Sequence, residues 1–141
     1  MNPILHPVCA SNFSGPNRIN CLFAEHLAPF LHLPIFALQA QYDSWQIVRV
    51  LGSDNPKRVN AFGHTLMDRF RSDFLSFSKN GAFIDSCEHH TQAYNSIVID
   101  GKSAAQALLA WYPREHLKFQ FPNQPRFLTD VKRSMYPHPK P

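Results

Sequence analysis

The chain reads as an α/β protein, on three observations. Residues 34–40 (P-I-F-A-L-Q-A) form a continuous apolar run with proline at its first position and no two-residue alternation, the pattern of a strand buried on both faces. Residues 82–84 (A-F-I) form a second short apolar run, behind Gly81. Between them, residues 57–77 repeat apolar side chains at spacings of three and four, as an amphipathic helix does. Strands and helices in alternation point to an α/β architecture.

Length and composition narrow the classes. A chain of 141 residues suffices for one small domain with a real core. With 44% hydrophobic and 17% charged residues it is not a disordered chain. Twelve phenylalanines call for a thick core or an apolar partner surface. The net charge of +4 is spread without a basic run, which excludes a nucleic-acid footprint. No stretch of about 20 apolar residues is present, so no membrane-spanning helix is expected. The first seven residues lack the charged and apolar regions of a secretory signal.

In chain order, residues 1–20 are expected to be an irregular loop, broken by Pro3, Pro7, Gly15 and Pro16. Cys9 and Cys21 flank it. They either form a bridge closing a short loop or remain two thiols, and spacing alone does not choose. Residues 22–31 suit a short helix interrupted by Pro29. The first strand comes next, then Tyr42, Asp43, Ser44 and Trp45. Asp43 is thus a carboxylate at the C-terminal end of a central strand, where α/β sheets gather ligands and catalytic groups. Its bland role is to cap the next helix.

Residues 52–56 (G-S-D-N-P) make a turn. In the long helix, Val59, Phe62, Leu66, Phe70, Phe74 and Phe77 form an aromatic stripe for the core. After the second strand, Asp85, Ser86 and Cys87 end the extended run, and Glu88, His89 and His90 are expected on the loop beyond. A histidine there can act as a general base. Residues 96–99 suit a short extended segment, Asp100-Gly101 a turn, and residues 103–111 a helix stopped by Pro113. The proline-rich remainder, residues 113–141, is expected to be a packed or disordered arm.

The resulting order is strand, Asp loop, helix, strand, His loop, helix. It matches the last third of an α/β-hydrolase fold, a three-layer sandwich incomplete in this chain. There the triad appears as nucleophile, acid, histidine. Asp43 and His90 take the places of acid and base. A nucleophile elbow of the form G-x-S-x-G is absent. Ser103, behind Gly101 and opening a helix, is the nearest match, but serine at a helix start more commonly caps it. Cys87 lies only three residues from His90, which makes attack geometry awkward. A metal site of His64, Glu88, His89 and His90 is the weakest reading, because adjacent histidines lack the spacing that puts two ligands on one helix face. No metal and no cofactor are expected.

The motifs carry a resemblance. C-L-F at 21–23, P-I-F-A-L-Q-A-Q-Y-D-S-W-Q-I at 34–47, G-A-F-I-D-S-C-E-H-H at 81–90, Asn95-Ser96-Ile97, Asp100-Gly101, S-A-A-Q-A at 103–107 and Trp111-Tyr112 resemble the C-terminal portion of the pectin acetylesterase/Notum family, from about Cys9 to Tyr112. The resemblance implies a serine esterase that removes acyl groups: acetate from pectin in plant members, a fatty acyl group from a secreted signalling protein in an animal member. It assigns the triad acid to Asp43 and the triad histidine to His90. It also implies an acetylated polysaccharide or other acyl ester as substrate, and a secreted or cell-wall location. The family's nucleophilic serine and oxyanion-hole glycines lie upstream of the matched region, so these residues are expected to be inactive alone and to need the N-terminal part of the domain. Thr91 stands where many members have a cysteine, which leaves Cys87 without that near partner. Tyr94 replaces a common tryptophan.

The chain divides into three segments: 1–20 as the N-terminal loop, 21–112 as the C-terminal part of the esterase domain, and 113–141 as the arm. Trp45, Tyr42, His89 and Tyr94 are the expected substrate-facing side chains. A non-catalytic fragment binding carbohydrate or protein through that surface is the alternative.

Overall fold

A computed structural model describes residues 4–91, 94, 96–112 and 127–129. Its centre is a parallel sheet of β1 (Phe36–Asp43), β2 (Gly81–His89) and β5 (Phe127–Thr129), in spatial order β1-β2-β5. Both apolar runs are strands, and both are longer than their apolar cores. β1 extends through Asp43. β2 extends through Glu88 and His89, which therefore belong to the strand and not to the loop beyond it. The third strand lies in the segment expected to be an arm; the rest of 113–141 falls outside the described residues.

Two helical layers cover the sheet. On one face lies α4 (Pro56–Arg69), started by Asn55, whose Oδ1 accepts from the Lys57 and Arg58 backbone N–H groups. Its sheet-facing line is Val59, Gly63 and Met67, with Leu66 and Phe70 to the side. Beyond Arg69 the helix widens into a π turn, Phe70–Phe74, where the Leu75 N–H donates to Phe70 O. The expected single helix over 57–77 is therefore two helical forms. Met67, Leu75, Ala82 and Ile84 form the core between this layer and the sheet.

On the other face lies α5 (Ala104–Trp111), preceded by a small antiparallel pair, β3 (Val98–Ile99) and β4 (Lys102–Ser103). Phe83, Ile97, Ile99, Ala104 and Ala107 fill that interface. The Trp111 indole donates to Lys79 O at 2.9 Å and lies over Gly81. Asn80 joins three segments: its Oδ1 accepts from the Ile35 N–H, and its Nδ2 donates to Phe74 O. This fixes the start of β1 against the end of the π turn.

The N-terminal region departs from the expected irregular loop. It forms α1 (Pro7–Ser11), a 3-10 segment (Gly15–Leu22) and α2 (Ala24–Leu27), which runs into a 3-10 turn at Ala28–Phe30. A Cys9–Cys21 disulfide ties them, and Leu5, Phe13, Leu27 and Phe30 pack around it. Proline in the first turn of both α1 and the 3-10 segment removes an N–H that has no partner anyway, so the residues that break periodicity here begin helices.

Candidate active site

β1 and β2 are parallel neighbours, so their C-terminal ends finish side by side. Phe36 through Ala40 pair in step with Gly81 through Asp85. Then Tyr42 pairs with Glu88 and Asp43 with His89, so two residues of β2, Ser86 and Cys87, stand opposite the single Gln41. This is a β-bulge, which places one extra residue in β2, shifts its register against β1 and bends the strand.

Asp43, buried at the last position of β1, uses both carboxylate oxygens. Oδ1 accepts from the Gln46 N–H at 2.9 Å and so caps the turn α3 (Ser44–Gln46). Oδ2 lies 2.8 Å from His90 Nδ1. The cap reading and the histidine-partner reading of Asp43 thus describe the same side chain. A carboxylate oxygen only accepts, so Nδ1 carries a proton, and in the neutral ring that tautomer leaves the lone pair on His90 Nε2. His90 itself is about half exposed, 46% against 8% for Asp43, so its ring reaches solvent while its partner stays inside. Trp45 stacks beside it, with centroids 6.1 Å apart and planes at 24°, and is 52% exposed.

His89 points elsewhere. Its Nε2 lies 3.0 and 3.1 Å from the two oxygens of Asp85, and the pair is buried. Tyr94 meets the His89 ring edge-on at 5.0 Å. Burial pushes the Tyr94 phenol up to about 12, with the negative charges of Asp85 and Asp43 adding to it and the Ala40 backbone hydrogen bond opposing. Adjacent residues of an extended chain project to opposite sides, so only one of the two histidines can face Asp43.

The expected substrate-facing set therefore divides. Trp45 is at the surface next to His90. Tyr94 is half buried, against His89. His89 is buried, and Tyr42 is fully buried on the α4 side, its hydroxyl donating to Asn60 Oδ1 at 3.1 Å. Neither Tyr42 nor His89 presents a face to a substrate. For Tyr42 the reason is the interrupted alternation: Ala37 and Tyr42, an odd number of residues apart, both pack toward the α4 layer. Sequence reasoning gave no role to Asp85, which is fully buried and accepts from both His89 and the Cys87 N–H, the latter at 3.0 Å. The only sequence signal for it was an aspartate inside an apolar strand, since a buried carboxylate needs partners.

Ser103 is the N-cap of α5. Its hydroxyl accepts from the Gln106 N–H at 3.3 Å, and Gln106 Oε1 accepts from the Ser103 N–H at 2.9 Å, a reciprocal capping box. Cys87 keeps its thiol and packs beside the Phe83 cluster. No group of three or more histidine, cysteine, aspartate or glutamate side chains among the described residues is placed to hold a metal ion. Nor is any described helix long and apolar enough to cross a membrane.

Comparison with known proteins bears on the family and the fold. The family model described as Pectinacetylesterase matches residues 2–127. Pectin acetylesterase 11 of Arabidopsis thaliana is 28% identical over 101 residues, which are 57% of this chain and 26% of that protein. Pectin acetylesterase 5 of the same plant is 28% identical over 120 residues, 65% of this chain and 28% of that one. The solved structure of the Wnt deacylase Notum from Drosophila superposes with a TM-score of 0.63 at 23% identity, over 77% of this chain and 31% of that one. The chain thus spans between a quarter and a third of the length of these relatives. With this match over most of its length and with part of an α/β-hydrolase-like fold, the chain belongs to the pectin acetylesterase family.

Proposed function

We propose that this chain supplies the acid and the histidine of a carboxylic-ester hydrolase that removes acetyl groups from an acetylated polysaccharide. The observation that carries the reading is the 2.8 Å contact between Asp43 Oδ2 and His90 Nδ1, made from the ends of two adjacent parallel strands. In this role His90 Nε2 takes the proton of a serine hydroxyl as it attacks the ester carbonyl, then returns it to the leaving alcohol. Asp43 holds the ring in the tautomer that leaves Nε2 basic, and stabilises the imidazolium as it forms. Trp45, exposed beside His90, offers a flat apolar face on which a sugar ring can stack. The serine and its oxyanion hole come from outside these residues, which contain no G-x-S-x-G elbow.

An exported location, at the cell surface or in the wall, belongs to the same proposal. The Cys9–Cys21 bridge supports it, because disulfides persist in oxidising compartments.

The test is hydrolysis of p-nitrophenyl acetate and of acetylated pectin. The 141 residues alone are expected to release no acetate above the buffer rate. A chain that also carries an upstream serine elbow is expected to do so and to lose the activity on His90→Ala. Activity in the short chain that vanishes with His90→Ala would redirect the nucleophile to Ser103 or Cys87. Retained polysaccharide binding without turnover in the longer chain would favour the non-catalytic alternative.

A further inference from the structure

We propose that Asp85 is a positioning residue: by pinning the bulge in β2 it selects His90, and not His89, as the partner of Asp43. The proposal rests on the reading of His90 as the base.

Register carries it. Before the bulge, each β1 residue faces the β2 residue in step with the Phe36–Gly81 pair; after it, the pairing has slipped by one, so that Asp43 faces His89. Were the first register continued, Asp43 would face Glu88, and His89 would occupy the place just past the strand that His90 now holds. One inserted residue decides which imidazole reaches the carboxylate.

A bulge disrupts the ladder locally and bends the strand, so side-chain contacts across it help to fix its shape. Asp85 does this at two points. Its Oδ1 accepts from the Cys87 N–H inside the bulge at 3.0 Å, and its carboxylate also accepts from His89 Nε2 on the far side, at 3.0 and 3.1 Å. In a straight strand, residues four apart have Cα atoms about 13 Å apart, too far for an aspartate and a histidine to touch. The Asp85–His89 contact therefore closes only across the curled strand, and it braces that curl. The Asp85–His89 pair is buried, and Tyr94 meets the His89 ring edge-on. His90 is the next residue along the chain.

The readout that separates positioning from simple stability is the His90 Nδ1 proton, observed by NMR in the folded 141-residue chain. It reports the bond to Asp43 whether or not the chain is active. Asp85→Ala is expected to shift or broaden this signal. In a longer chain with an upstream serine, the same change is expected to lower kcat about 100-fold with KM within about twofold, since misplacing a catalytic group by about 1 Å has that effect. His89→Leu leaves the Asp85–Cys87 bond in place; it is expected to keep the signal but speed its exchange with solvent, and it serves as the test if Asp85→Ala does not fold. A folded Asp85→Ala chain with an unchanged His90 signal overturns the proposal, as does unchanged exchange in folded His89→Leu. If the longer wild-type chain hydrolyses no ester, the functional reading fails, and the proton signal still decides the role of Asp85.

Discussion

Tyr42 and Gly63 are packed so closely that a Cβ on Gly63 would come within 2.4 Å of the Tyr42 ring. The ring has no simple way to withdraw, since it is fully buried and its hydroxyl is held by Asn60. Gly63→Ala would gain about 0.5–1 kcal/mol from reduced backbone freedom in a helix. Forcing an extra carbon into a filled interface costs about 1–3 kcal/mol. The expected net result is a lower melting temperature, measured by circular dichroism. Combining Gly63→Ala with Tyr42→Leu should recover part of that loss. A melting temperature that rises in Gly63→Ala would show that the α4–sheet contact is looser than described.

Asp43→Asn separates the two duties of Asp43. The amide oxygen can still accept from the Gln46 N–H, so the cap survives, but the amide NH2 cannot accept the His90 Nδ1 proton. In a chain with the upstream serine, turnover is expected to fall by about 10⁴ with little change in melting temperature. Asp43→Ala loses the cap as well, worth about 0.5–2 kcal/mol. Full turnover in a destabilised Asp43→Asn would make this aspartate a cap alone.

The two histidines should respond differently. In a chain with the upstream serine, His90→Ala removes a half-exposed ring and is expected to abolish ester hydrolysis while the far-ultraviolet spectrum and melting temperature stay close to wild type. His89→Ala empties a buried site and leaves Asp85 short of a donor, so its main effect should be on stability, with hydrolysis reduced less than tenfold. Kinetics and melting curves on the two variants side by side check this. A dead but stable His89→Ala beside an active His90→Ala would mean the register is one residue off.

Alkaline pH should find Tyr94. Its phenol is pushed up to about 12 by burial, then by Asp85 and Asp43. In the unfolded chain a tyrosine titrates near ~10. The folded state keeps a proton that the unfolded state has lost, so this contribution is intact below the unfolded value and is lost as pH rises through the folded one. Urea midpoints of the wild type should therefore drop over that window more steeply than those of Tyr94→Phe. Parallel curves would count against the burial of this phenol.

The α/β class was legible because β1 and β2 carry apolar runs at their starts and a long amphipathic helix lies between them. The meeting of Asp43 and His90 was legible from topology, since parallel neighbours end together. The bulge was not. Gln41, Ser86 and Cys87 are ordinary strand residues, and a slip of one residue leaves no mark in composition or period. The inward turn of His89, the burial of Tyr42 and the bracing contacts of Asp85 were missed as well. Tyr42 in particular looks like a surface aromatic in a polar segment, because the Asn60 that satisfies its hydroxyl belongs to a different element. The Cys9–Cys21 pairing was one of two equal readings and became decidable only when helices on both sides brought the thiols together. β5 was hidden because its place is set by the edge of β2, while its own surroundings are proline-rich and aperiodic.

The parallel order of the sheet has a consequence in time. β2 begins 45 residues after β1 does, so no local contact can hold β1 while the intervening helix is still being made. At typical synthesis rates that is a delay of a few seconds. During it, residues 36–42 (F-A-L-Q-A-Q-Y) are an uncharged strand-forming stretch without proline, the composition that pairs with other copies of itself. Non-local parallel pairing is also among the slower folding steps. Yield of folded protein should therefore depend on how fast β2 arrives, and refolding should become less efficient as protein concentration rises.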